Sequence, residues 1–276
     1  MVDGIAAVPD GSPPARFTSR RAGIAIEGLE PIERGFVEMR YGFAELEERY
    51  ARLAEMGRAV DWKGGSFEEF DLRSFLEEVL PTLQFPAPHP RAMEYGTGTG
   101  PGACFLAARG FRVEAIDISP TAIQLARRFA TERGLEITFE VADICDIHCG
   151  ERRYDLVVDN YCLQRIASNQ RREQALQTVR CLLAVGGHFL IGTVLAREGR
   201  DYGEDRLDAR TGIRYRRLGE DAEKYEDAVR LDGAWYVPIR RYLRAEELRS
   251  ELEEAGFEVV RQRGGQVVCV VRRRAA

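Results

Sequence analysis

The sequence predicts an α/β protein whose core is a doubly wound, mostly parallel sheet, and three observations carry that prediction. Between residues 91 and 194, short apolar runs alternate with helical patterns across brief connections. Such alternation sets parallel strands side by side through right-handed crossovers. The first run ends in a glycine-rich turn, Glu94-Tyr95-Gly96-Thr97-Gly98-Thr99-Gly100-Pro101-Gly102, that opens the first helix. Further on, two strand-like runs flank Arg263-Gly264-Gly265, a hairpin signal that adds one antiparallel strand.

In chain order, residues 1–28 mix Gly, Pro, Ser and Arg without sustained periodicity and read as a flexible arm. Residues 29–90 read as a helical cap. Apolar positions from Phe36 to Met56 recur at three- and four-residue spacing, predicting a helix from Glu30 that Gly57 ends. The loop Asp61–Ser66 leads to a second helix with Phe70, Leu72, Phe75, Leu76, Val79 and Leu80 on its apolar face, closed by Pro81. Pro86, Pro88 and Pro90 make a stiff linker.

The main domain is expected over 91–276. Strands are predicted at Arg91–Tyr95, Arg112–Ile116, Ile137–Val141, Asp155–Asp159 and His188–Val194. Helices are predicted between them at Gly102–Arg109, Pro120–Gly134 and Arg171–Leu183. Residues 196–240 interrupt this rhythm as a charged insertion carrying several Tyr and one Trp. A helix over Ala245–Ala255 and strands at Phe257–Gln262 and Gln266–Arg272 complete the pattern.

Composition narrows the function. The 276 residues hold 40 Lys and Arg against 45 Asp and Glu, a net charge of -5, which disfavours a general nucleic-acid binder. No stretch reaches the roughly 18 to 20 apolar residues that a membrane span needs. The opening residues lack a basic start and a long apolar segment, so a cytoplasmic location is expected. Six scattered cysteines are then expected to be reduced thiols. Cys145, His148 and Cys149 together offer only three donors, and no metal is expected there.

The glycine turn is the most informative stretch. Glycines at alternate positions let the backbone bend sharply and approach a ligand, and the helix behind it directs free N–H groups the same way. Its spacing, G-x-G-x-G, differs from the G-x-G-x-x-G common among nicotinamide enzymes, which leaves a nicotinamide-dependent oxidoreductase as the alternative. Asp117 closes the second strand, where a carboxylate can accept both hydroxyls of a ribose or, more simply, cap a helix. Asp143 stands at the equivalent end of the third strand, with Ile144 and Ile118 placed to pack on a base; an N-cap is its competing role.

Glu94 with Gly96, Gly98 and Gly100, followed by Asp117 and Asp143, resembles the motif series of class I S-adenosylmethionine-dependent methyltransferases. Asp155–Asn160, Leu182–Gly187 and Ala255-Gly256-Phe257 continue the series in the same order, so the resemblance covers about residues 91–272. It departs where the family often has Lys-Pro before Gly-Gly, for here Ala184-Val185 stand. The resemblance implies a Rossmann-like sheet of seven strands, the last antiparallel and inserted beside strand five. It implies S-adenosylmethionine as methyl donor, S-adenosylhomocysteine as product, and no metal. Residue by residue, Glu94 would brace the loop, Gly96 and Gly98 would face the methionyl group, Asp117 would hold the ribose, and Asp143 with Ile144 the adenine. Thr97, Gly100, Ile118 and Asn160 would complete that site. The segment 155–240 also resembles, more loosely, an uncharacterised subset of small-molecule methyltransferases through Asp159–Ile166 and Trp235–Pro238.

Ligands in open α/β sheets bind beyond the carboxyl ends of the strands. That rule puts Asn160, Tyr161 and Cys162 at the reacting end and His188 at the other. Tyr161 is the candidate general base, with Asp159 beside it; the residues do not single one out. Trp62, Tyr161, Trp235, Tyr236 and Arg240 are candidate acceptor contacts, unless the aromatics only pin the insertion to the core. A small-molecule acceptor is expected, without nucleic acid or membrane. A protein that binds the donor without catalysis is the other alternative.

Overall fold

A computed structural model describes residues 40–151 and 153–271. The arm expected over 1–28 and the start of the helix expected from Glu30 lie outside them. The described chain begins with α1 (Tyr41–Glu55) and α2 (Arg73–Val79). The second helix is shorter than its apolar spacing suggests, because Phe70 and Leu72 are buried ahead of it and Pro81 turns its end into a 3-10 turn, Leu80–Thr82.

The alternation then follows as β1 (Arg91–Tyr95), α3 (Pro101–Ala107), β2 (Arg112–Asp117), α4 (Pro120–Glu132), β3 (Ile137–Val141) and β4 (Tyr154–Asn160). It continues with α5 (Asn169–Leu182) and β5 (Leu183–Gly192). After the insertion come α6 (Ala245–Glu254), β10 (Phe257–Arg263) and β11 (Gln266–Val271). The large sheet has seven strands in the order β10-β11-β5-β4-β1-β2-β3. β11 runs antiparallel between β10 and β5, and the other six strands are parallel. Order reverses at β1, so the switch point opens beyond Tyr95, at the glycine turn.

Both faces of the sheet are covered, and the period of two sorts its side chains. Ala92, Leu156, Val158 and Leu190 pack under α1 to α4, while Met93, Tyr95, Val157, Phe189 and Ile191 pack on α5 and α6. The fifth strand departs from expectation. It starts at Leu183, so His188 lies mid-strand opposite Leu156 and four residues short of the carboxyl end, its ring against Phe85. His188 is thus remote from the switch point.

The insertion is not the irregular segment its charge suggests. It forms a second sheet of β6 (Arg206–Leu207), β7 (Ile213–Arg217), β8 (Val229–Leu231) and β9 (Ala234–Arg241), in the order β6-β7-β9-β8. Asp232 and Gly233, both in the left-handed region at φ 47° and 83°, make the two-residue turn between β8 and β9. Asp-Gly between apolar runs is a strong hairpin signal that the density of charge around it obscures.

One cysteine expectation is corrected. Cys149 and Cys181 form a disulfide, because the loop before β4 lies against the end of α5 and brings their Cα atoms to 6.0 Å. Cys104, Cys145, Cys162 and Cys269 are free thiols. Among the described residues, no helix is long and apolar enough to cross a membrane.

Candidate active site

The site is built on a turn that only glycine tolerates. Gly96, Gly98 and Gly100 have φ of 65°, 57° and 88°, in the region where a Cβ clashes with its own backbone. A Cβ on Gly96 would stand 2.6 Å from Cys162 Sγ. Gly100 is the N-cap of α3 and Pro101 its first residue, where a missing N–H is no loss.

Glu94 lies wholly buried beneath the turn. It accepts from Thr97 Oγ1 at 2.5 Å and from Asn160 Nδ2 at 3.3 Å, and a backbone N–H of α3, that of Ala103, points at it. Gly102 must be glycine, since a side chain there would overlap the Glu94 carboxylate. Burial raises the Glu94 pKa to about 7 against the pull of those donors. The residue therefore ties β1, the turn, α3 and the end of β4 into one unit.

Asp117 is the second brace. Its two oxygens accept from Gly98 N and Ser119 N, each at 2.9 Å, and burial raises its pKa to about 6. A carboxylate has about four lone-pair sites, so two remain for a ligand. The simpler helix-cap role falls to Ser119, whose Oγ accepts from Ala122 N. Ile118 is half-buried beside it. Asp143 does adopt the competing N-cap role: one oxygen accepts from Cys145 N at 2.9 Å and the other takes Arg171 at 2.5 Å. Ile144 next to it is buried.

Beyond β4 the chain turns sharply. Tyr161 adopts φ 62°, unusual for a side chain of its size, and its N–H donates to Gly192 O. Its ring lies against Gly192, where a Cβ would stand 3.2 Å from it. Asp159, wholly buried with its pKa raised to about 7 by burial, accepts from Cys162 N and Leu163 N. Arg172, 3% exposed, pairs with Glu251 at 2.6 Å and donates to Leu163 O, while Gln164 accepts from Val194 N. The 3-10 turn Leu163–Arg165 is therefore held on several sides.

The cap roofs this cradle. Thr99 Oγ1 donates to Val60 O at 2.7 Å, and Glu47 on α1 accepts from Ser119 Oγ and from Thr121 Oγ1. The place of a Cβ on Gly98 is 3.0 Å from Tyr50 Oη and 3.9 Å from Trp62 Cβ. Trp62 is surrounded by cations, with Arg49, Lys63 and Arg165 at 5.2, 5.7 and 6.0 Å from its ring.

Tyr50 corrects the reading of its helical stripe as packing alone. Its ring is buried, yet its hydroxyl faces the turn close enough for the Asp117 charge to raise its pKa further than burial does alone. Arg165, Glu45 and Glu47 escape the sequence reading too. Nothing local distinguishes them, because each acquires its role from a distant partner.

The insertion divides its candidates. Trp235 and Tyr236 are consecutive on β9 and point to opposite faces. Tyr236 is buried under Arg206, whereas register puts Trp235 on the face that carries Arg214 and Arg240. Arg216 on β7 reaches Glu45 of α1 at 2.7 Å, so that face meets the cap.

Comparison with known proteins agrees with this geometry. A family described as a methyltransferase domain matches residues 92–187, from β1 into β5. The 2-heptyl-1-hydroxyquinolin-4(1H)-one methyltransferase of Mycobacteroides abscessus is 31% identical over 115 residues, 41% of this chain and 50% of that protein. Ajmaline N-methyltransferase of Rauvolfia serpentina is 26% identical over 61% of this chain and 55% of its own length. The chain thus spans little more than half the length of these relatives. An S-adenosylmethionine-dependent methyltransferase from Clostridium acetobutylicum shares the fold, with a TM-score of 0.53 at 15% identity over 81% of this chain and 98% of that one. Residues 92–187 thus resemble a methyltransferase domain, and the glycine turn lies within that stretch.

Proposed function

We propose that the chain transfers the methyl group of S-adenosylmethionine to a small-molecule acceptor. The observation that carries this reading is the glycine turn braced by Asp117 and roofed by Tyr50 and Trp62. These residues fit the donor. Gly98 has no side chain on its roofed face, and Asp117 is buried with two N–H donors and lone pairs to spare. Asp117 would hold the ribose and Gly96 and Gly98 the methionyl group. Ile118 and Ile144 would pack on the adenine, with Asp143 reaching its amino group through lone pairs that the Cys145 N–H and Arg171 leave open.

When bound, S-adenosylmethionine supplies a methyl group on a positively charged sulfur, an electrophile already activated. What remains for the chain is alignment and exclusion of water. Tyr50 and Trp62 close the cradle from above, and Cys162 walls it beside Gly96. Burial raises the Tyr161 pKa, as do Asp71 and Asp159, which favours an orienting ring over a proton acceptor at neutral pH. Asp159 is engaged by the turn it caps.

Titration calorimetry with S-adenosylmethionine and S-adenosylhomocysteine tests this reading, with NADH as the control. Both sulfur compounds are expected to bind. Asp117→Ala is expected to weaken both by about ten- to a hundred-fold, the worth of charge-assisted hydrogen bonds. Folded protein that binds neither compound would sink the proposal. Binding without methyl transfer across a broad acceptor panel would leave the donor site and remove the catalysis.

A further inference from the structure

The roof gathers several arginines on one face of the insertion sheet. Arg214 and Arg240 are partners across the β7–β9 ladder, and Arg216 follows Arg214 by two residues, the period that returns a side chain to the same face. From below, the 3-10 turn after β4 adds Arg165. Asp205 and Glu45 are among the carboxylates that answer these guanidinium groups. Asp205 takes Arg214 at 2.5 Å and Arg216 at 3.8 Å, and Glu45 takes Arg216 at 2.7 Å and Arg165 at 3.6 Å.

Arg240 forms no ion pair among the described residues, although it is only partly exposed. Burial lowers its pKa, and the strongest charged influence on it is another cation, Arg165. A partly desolvated cation beside a second one is costly unless an anion compensates it. Arg165 lies next to the donor cradle. Arg165 is 6.0 Å from the Trp62 ring, and its charge acts on Asp117 and Tyr50.

We infer that Arg240, assisted by Arg165, is an anion clamp in the acceptor pocket, and that the acceptor is a small molecule bearing a carboxylate or equivalent oxyanion. The inference rests on the methyltransferase reading above and adds the chemical class of its substrate. Arg240 stands on the insertion-sheet face whose Arg216 meets α1, and Arg165 of the turn after β4 acts on it. Trp235 shares that face and offers an aromatic surface beside the charge. A guanidinium there suits a carboxylate, which it can grip with two parallel hydrogen bonds. The same chemistry could serve the carboxylate of the donor's methionyl group, so the two sources must be separated.

Protein saturated with S-adenosylhomocysteine is titrated with paired probes, 4-hydroxybenzoate against its amide and quinoline-2-carboxylate against its amide. The wild type is expected to bind each acid at least ten-fold more tightly than its amide. Arg240→Gln should erase that preference while S-adenosylhomocysteine binds as before, and Arg240→Lys should restore part of it. Arg263→Gln, at the exposed hairpin of the large sheet, should keep it whole. Equal binding of acid and amide by the wild type overturns the clamp. So does an Arg240→Gln protein whose main loss is in S-adenosylhomocysteine affinity, which would give the guanidinium to the methionyl carboxylate. If the wild type binds no S-adenosylhomocysteine, the methyltransferase reading fails and takes the clamp with it. A tight complex without acid preference marks failure of the clamp alone.

Discussion

Glu94 shows how much one buried side chain fixes. Its carboxyl gathers Thr97, Asn160 and the start of α3, and burial raises its pKa to about 7. An acid whose pKa is raised by folding binds its proton more tightly in the native state, so that proton opposes unfolding between the two pKa values. Its contribution is therefore greatest at low pH and is lost as pH climbs from the ordinary glutamate value of 4.5 towards about 7. Glu94→Gln, which keeps an acceptor for Thr97 and Asn160 without a charge, should flatten the decline in stability over that window. Urea unfolding at pH 5 and pH 7.5 would measure the difference, expected to be on the order of 3 kcal/mol smaller in the variant. An unchanged slope would mean that Glu94 is ionised throughout. Its role as a loop brace was legible only through the family resemblance of the motif that it opens. Its raised pKa was not legible, since that depends on what packs above it.

At the scale of elements, α1 is what turns an open nucleoside fold into a covered one. Its apolar spacing was readable, and so was its helical state, because a period near 3.6 is a local property. Its docking depends on Glu47, which accepts from Ser119 and Thr121 at the start of α4. Glu47→Ala should loosen α1 by about 1 to 2 kcal/mol, the worth of hydrogen bonds to a charged group at a partly exposed site. Amide exchange over Tyr41–Glu55 would then quicken roughly ten-fold, while exchange in β1 and β4 stays as before. Equal exchange in variant and wild type would show that Thr99 and the apolar contacts hold the cap without Glu47. The insertion makes the opposite case. Its alternating strands and Asp232-Gly233 turn were present to be read, but the charges on both faces hid a pattern that depends on one face being apolar.

Across the whole molecule, the sheet order and the pairing of distant segments are set together. The loop before β4 carries Asp143 and is tied to α5 by Arg171 and by the Cys149–Cys181 disulfide. Thiol titration of the unfolded, unreduced protein should count four free groups of the six cysteines present. A count of six would remove the tether. Bridging a separation of 32 residues is worth about 3 to 4 kcal/mol through restriction of the unfolded chain. Reduction should accordingly lower the melting temperature by several degrees, with the loop before β4 first to gain amide exchange.

By itself the sequence determined the alternation of strands and helices, the glycine turn, and the antiparallel strand that closes the sheet. These follow from steric limits at glycine and from side-chain periods of two and 3.6, which act over a few neighbouring residues. Tertiary structure alone decided what stands above the turn. Tyr50 meets Gly98 across 48 positions, and Glu45 meets Arg216 across 171. Arg240 forms no ion pair among the described residues, while Glu45 and Asp205 pair with other arginines. Such meetings depend on how cap, core and insertion pack, and no local pattern records which charge will lack a partner.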